Sequence, residues 1–206
     1  MQDCDGVRDR KRADTSRRIH EAAVELALRD GLTAATVSDI AERADISRRT
    51  FFNYYPSKED AVLGIQEPKI PRQALETFLR PPAPDDEARR DRVLQAVHLT
   101  MATMASVGPR TSPQVRRIVT AHPELVDRVR AHRMATQDVL MSVLSERLAD
   151  QDATPTAADS ARALVLLSTA VLRFAFDDEP PLFDDPDPGV IEKALTAFRT
   201  ALKEVR

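Results

Sequence analysis

The stretch TVSDIAERADISRRTFFNYYPSK, residues 36–58, decides how this chain folds. Thr36 is a good N-cap, and Asp39 three residues on completes a box-like cap with the shorter acid. Val37, Ile40, Ala41 and Ala44 then fall on one face at helical spacing. Asp45 and Ile46 make a turn. Ser47 caps a second short helix that carries Arg48 and Arg49 and the aromatic residues Phe51 and Phe52. Pro56 breaks the chain, and Ser57 caps a further helix opening at Lys58. Two short helices joined by a tight turn, the second bearing arginines, have the shape of a helix-turn-helix, which lays one helix in the DNA major groove.

Apolar residues recur at helical spacing on both sides of this stretch. Ile19, Ala22, Ala23, Leu26 and Ala27 form one stripe. Asp14, Thr15 or Ser16 caps its start, and Gly31 stops it in the left-handed conformation. Pro68 and Pro71 interrupt the pattern further on, and PPAP at 81–84 reads as a linker. A long helix runs from Asp85 or Asp86 to Val107, where Gly108-Pro109 ends it. A short helix follows Thr111 and ends near Ala121, and Pro123 opens another that reaches Asp150. Thr154-Pro155 and Asp187-Pro188 open the last two helices, which end near Phe176 and Val205. No segment alternates with the period of a strand. The expectation is an all-α protein of about nine helices. It has a flexible basic arm over residues 1–14, a three-helix head over 15–62 and a helical C-terminal domain over 63–206.

The 206 residues are 42% apolar and 31% charged, which suits a sizeable core with a solvated surface. There is no run of about 18 apolar residues, so no membrane span is expected. The charged N-terminus lacks the apolar stretch of a signal peptide. A lone cysteine, Cys4, makes neither an internal disulfide nor a cysteine metal cluster and suits a reducing cytoplasm, the expected location. A net charge of −3 gives no bulk argument for nucleic-acid binding, so charge must be read locally. Arg8, Arg10, Lys11, Arg12, Arg17 and Arg18 face only Asp9 and Asp14, whereas DDEPPLFDDPD at 177–187 has six acids and no base. A basic DNA-facing end and an acidic remainder fit this asymmetry. The basic arm is then a candidate for the minor groove or an outer phosphate.

The stretch TVSDIAERADISRRTFFNYYPSKEDAV resembles the DNA-binding signature of the TetR family of bacterial regulators. The likeness covers about the first 60 to 65 residues. It lies in the capped helix, the Ile-Ser start of the next, the aromatic pair and the Tyr-Pro-Ser-Lys-Glu-Asp that opens the fourth. One departure is Asp45, where the family usually has glycine; aspartate tolerates left-handed geometry at some cost. Ser47, Arg48, Arg49 and Thr50 occupy the first turn of the recognition helix, which meets base edges. The resemblance implies that Arg48, Arg49, Thr50 and Phe52 face the groove, and that Tyr54 and Lys58 touch phosphates. Thr36 likewise can hold a phosphate at the start of its helix. Phe51 and Tyr55 are implied to pack the small head.

No catalytic set emerges. His20-Glu21 begins like a zinc-protease motif, but Val24 stands where the second histidine belongs. His20, His98, His122 and His132 are scattered, and the five glycines form neither a dinucleotide fingerprint nor a P-loop. No metal, no cofactor and no enzyme activity are expected. Met101 and Met104 fall on one long helix and Met134 and Met141 on another, and methionine adapts to irregular apolar shapes. The family resemblance implies that such helices surround an effector cavity. Met101, Met104, Met134, Met141 and Phe174 are then candidate ligand-binding residues, with His98 a polar anchor; ordinary core filling is the alternative. The apolar helix up to Phe176 and the last helix resemble the pair that builds a four-helix dimer interface in this family.

These readings converge on a homodimeric, ligand-responsive regulator. It binds double-stranded DNA at a palindromic operator, acts as a repressor and makes no membrane contact. The Arg-Arg-Thr-Phe-Phe segment resembles an actinobacterial branch associated with acyl-CoA-like effectors, including mycofactocin-type regulators; a drug-like effector is the alternative. Two other classes stay open: a helical ligand-binding or partner-binding protein without specific DNA binding, and a small helical enzyme.

Overall fold

The structure is a computed structural model that describes residues 3–80, 92–107, 112–151, 157–176 and 188–204. Among them are ten helices and no strand, so the all-α expectation holds. They are α1 (Asp3–Asp30), α2 (Val37–Arg43), α3 (Arg48–Phe52), α4 (Lys58–Leu63) and α5 (Arg72–Leu79), followed by α6 (Arg92–Val107), α7 (Pro113–Ala121), α8 (Glu124–Gln151), α9 (Ala157–Ala175) and α10 (Pro188–Glu204). The helix beyond the expected nine is α5. Pro71 does not interrupt it but sits at its N-cap with φ −60°, and Phe78, almost fully buried, anchors it. The PPAP linker, the Gly108-Pro109 stop, Thr154-Pro155 and the acidic stretch 177–187 lie outside the described residues.

α1 also begins earlier than expected. The caps expected at Asp14 to Ser16 lie inside the helix, where their side chains do other work. Thr15 donates its hydroxyl back to the Lys11 carbonyl at 3.0 Å, as mid-helix threonines do. Ser16 is buried, 2.8 Å from the Tyr55 hydroxyl.

The chain divides into two compact units. The first joins Met1–Glu67 to Val107–Arg130, and the second joins Pro68–Ser106 to Ala131–Arg206. The first therefore includes α7, which was expected in the C-terminal domain. The reason is the apolar stripe Val115, Ile118 and Val119, buried in a helix that packs on α1. Around α1 stand α2 and α4, with Ile19, Ala23, Ile40, Phe51, Tyr55 and Leu63 fully buried. His20 ties two of these helices, its Nδ1 donating to the Ala61 carbonyl at 2.8 Å.

The second unit has two apolar clusters. Phe78, Leu99, Leu140, Leu144 and Val165 centre one, and Val97, Val171, Ile191 and Leu195 centre the other. Two buried hydroxyls, Thr100 and Ser168, satisfy each other at 2.9 Å.

Candidate nucleic-acid interface

Helix α2 starts with a full capping box. The Asp39 N–H donates to Thr36 Oγ1 at 3.2 Å, and the Thr36 N–H donates to Asp39 Oδ2 at 3.1 Å. It ends in a Schellman turn: the Ile46 N–H reaches the Ala41 carbonyl at 2.9 Å, and the Asp45 N–H reaches that of Glu42 at 3.0 Å. That turn requires a left-handed residue, and Asp45 supplies it with φ 53°. The chain then enters α3 through Ser47, whose Oγ accepts from the Thr50 N–H at 3.0 Å. Every backbone group of the turn that these bonds engage is fixed by a local partner, so α3 leaves α2 at a set angle.

The second helix has an inner and an outer face. Phe51 is fully buried, while Arg48, Arg49, Phe52 and Asn53 are exposed. Among the described residues nothing engages the Arg48 or Arg49 guanidinium by hydrogen bond or ion pair. Their state contrasts with that of other cations in this unit. Arg43 is paired with Glu25 at 2.7 Å, Arg17 with Asp14 at 3.0 Å and Arg29 with Asp30 at 2.7 Å. Thr50 is half-buried, and its hydroxyl stands 2.8 Å from that of Ser47. Thr36 is exposed at its cap, with its hydroxyl on Asp39 at 2.6 Å.

Lys58, read as a phosphate contact, has a structural task as well. Its ammonium donates to the carbonyls of Thr33 at 3.0 Å and Ala35 at 2.9 Å, closing the loop between α1 and α2. Of its three donors one is left for a phosphate. Tyr54 is half-buried, and the Arg12 guanidinium lies over its ring at 5.0 Å while donating to the Asn53 carbonyl at 3.4 Å. The segment expected as a flexible arm is helical here. A helix about 10 Å wide does not fit a B-DNA minor groove about 6 Å wide. Any reach of this segment toward DNA is then by side chains projecting from a helix, not by an extended backbone.

Two features were missed in the sequence, and a third residue, Arg12, was read only as part of the basic arm. Asn53 follows α3, exposed and four residues on from Arg49 along the same side. Arg12 lies one turn before Ser16 on the same stripe, which was the available signal. Arg128 forks onto Asp60, Nε to Oδ1 at 2.6 Å and the terminal nitrogen to Oδ2 at 2.9 Å, and reaches Ser57 Oγ at 2.7 Å. The hydrogen bonds it donates to the Asp60 carboxylate raise the guanidinium's pKa above its ordinary value. The two residues are 68 apart in the chain, so no local pattern reports the pair.

The candidate ligand residues are scattered. Met101 packs on the cluster of Val97 and Val171, and Met141 on that of Leu140 and Leu144. Met104 is half-buried, and His98, Met134 and Phe174 are exposed, the last two at 68% and 59%. The described residues do not bring these six together around one cavity.

A capped α2, a Schellman turn and an outward cationic α3 define a helix-turn-helix head. Residues 19–63 match the model of the family described as bacterial regulatory proteins, tetR family. A protein of Mycobacterium tuberculosis, provisionally named mycofactocin biosynthesis transcriptional regulator MftR, is 47% identical over 49 residues. The alignment covers 24% of this chain and 25% of that protein, so the chain spans about a quarter of the length of the curated relative it matches. The head of this chain belongs to the TetR family.

Proposed function

We propose that the protein is a DNA-binding transcriptional regulator, acting as a repressor. It reads a palindromic operator as a homodimer and releases it when a small apolar or amphipathic effector binds. The observation that carries this reading is the pair of unpartnered guanidiniums, Arg48 and Arg49, on the outer face of a helix fixed by its turn and cap. An arginine so placed donates two hydrogen bonds to guanine O6 and N7. Thr36, Ser47, Arg48, Arg49, Thr50, Phe52, Tyr54 and Lys58 form the proposed DNA surface, and Lys58 doubles as a loop staple.

The dimer reading has its own support. Leu166 and Phe174 stand two turns apart on α9 and are 46% and 59% exposed. Phe174 meets Phe198 of α10 edge-on at 5.8 Å. Large apolar side chains left exposed on one helix, one of them set edge-on against an aromatic of the next, suit a contact surface. A two-fold dimer then pairs two heads with two half-sites. Phe174→Glu is expected to yield a monomer in sedimentation and to weaken operator binding. A variant that stays dimeric removes α9 from the interface.

The relative's likeness lies in the head and does not bear on the effector, so acyl-CoA-like and drug-like ligands both stay in play. Sequencing genomic fragments captured by the purified protein tests the reading, with an Arg48→Ala, Arg49→Ala double variant as control. A single enriched palindrome, lost in the control, is the expected result. No enrichment above the control at moderate salt overturns a ligand-free repressor.

A further inference from the structure

The outer face of α3 carries two ridges. Arg48 and Phe52 are four residues apart, as are Arg49 and Asn53, so each pair lies along one side of the helix. The chemistry they offer is narrow. Arg48 and Arg49 only donate, and Ser47 and Thr50 turn their hydroxyls to each other at 2.8 Å. Phe52 neither donates nor accepts. It therefore cannot hold a phosphate oxygen or a polar base edge. Yet its ring is 53% exposed beside an uncommitted guanidinium.

The ring is also braced from behind. It meets Phe51 edge-on, with centroids 5.4 Å apart at an interplanar angle of 87°, and Phe51 is fully buried. A pre-positioned apolar surface on a groove-facing helix needs an apolar target. In the major groove the apolar group a base edge presents is the C5-methyl of thymine.

We infer that Phe52 is a specificity-determining residue that buries a thymine methyl, beside a guanine held by Arg48. The inference rests on the DNA-reading function proposed above and narrows its target. Each half-site contains a thymine whose methyl, and not its hydrogen-bonding edge, is what the protein reads.

The test uses the full chain and the operator recovered by sequencing. Duplexes are synthesised with each thymine replaced in turn by deoxyuridine, which removes the methyl and keeps every hydrogen-bonding group. Burial of one methyl corresponds to roughly a fourfold change in affinity. A loss of about that size is expected at one thymine per half-site, and about tenfold or more when both half-sites are changed. Phe52→Ala is expected to bind the thymine and deoxyuridine operators equally; loss of the edge contact with Phe51 lowers its melting point slightly, so the ratio of the two affinities is the readout. Arg48→Ala is expected to weaken both duplexes and to keep their ratio. Equal wild-type affinity for the two duplexes overturns the inference and leaves the regulator standing. A deoxyuridine penalty that persists in Phe52→Ala assigns the methyl to another residue. Failure to enrich any DNA overturns the regulator and this inference with it.

Discussion

Asp45 holds the turn between α2 and α3 in the left-handed region at φ 53°, alone among the described non-glycine residues. An L-residue there suffers contact between its Cβ and the following carbonyl, about 1–2 kcal/mol for most residues and less for aspartate. Glycine removes that contact and loses some of the gain to greater freedom in the unfolded chain. Asp45→Gly is therefore expected to stabilise the first unit by up to about 1 kcal/mol, a rise of a few degrees in thermal unfolding. Asp45→Val should lower it by more. A melting point unmoved by either change would show that the turn carries no strain. This position was legible because the resemblance places a glycine there, which implies a left-handed residue in the turn. Lys58 was only half legible. Its place at the start of α4 suggested a phosphate, but its bonds to Thr33 and Ala35 join residues more than twenty apart. Lys58→Met is expected to lower both the melting point and operator affinity, the former by about 1 kcal/mol of stability for a partly exposed charged hydrogen-bonding group. Arg48→Ala should lower affinity alone. Circular dichroism melts beside binding isotherms separate the two.

At the level of elements, caps and stripes reported α2, α3 and α4 well. A Thr, Ser or Asp at the first position, followed by an acid or hydroxyl three residues on, is local chemistry and needs no tertiary knowledge. The beginning of α1 and the whole of α5 were not legible. Capping residues also serve mid-helix, as Thr15 does, and proline precedes a helix as readily as it ends one. The Arg128 fork on Asp60 is the element-scale contact with the clearest consequence. It joins the first turns of α8 to the start of α4 through a carboxylate that is 9% exposed. The arginine is itself 41% exposed, so solvent screens part of the interaction. Removing the cation leaves that carboxylate without its fork, though Ser57 still donates to it at 2.8 Å. Arg128→Ala is expected to destabilise the first unit by about 1–3 kcal/mol, read by urea titration. Arg128→Lys should recover less than half, because an ammonium cannot reproduce the bidentate geometry. Full recovery by lysine would reduce the fork to a point charge.

On the scale of the molecule, sequence order misled where packing joins distant segments. A boundary after residue 62 follows from the head motif, yet α7 folds with α1 although some ninety residues separate them. Nothing local in PQVRRIVTA tells which partner its stripe of Val115, Ile118 and Val119 will find. The ligand residues were hard to read for a related reason. Methionine on a helix reports an apolar neighbour without saying which cluster it joins, and Met101 and Met141 joined different ones. If the first unit is one cooperative body, damage to α7 must be felt in α1. Ile118 is 3% exposed, so Ile118→Ala removes buried side-chain volume, at about 2–4 kcal/mol. Native-state hydrogen exchange in the full chain reads where that loss falls. Slowly exchanging amides of α1 near Ile19 and Ala23 are expected to speed up by roughly thirtyfold or more, in step with those of α7. Amides of α8 around Leu140 and Leu144, in the second unit, should keep their rates. Acceleration confined to α7 would make it a loosely held appendage, and the DNA-binding head would then end at Glu67. Acceleration across both units would mean that the chain unfolds as a single body and that the division into two has no energetic meaning.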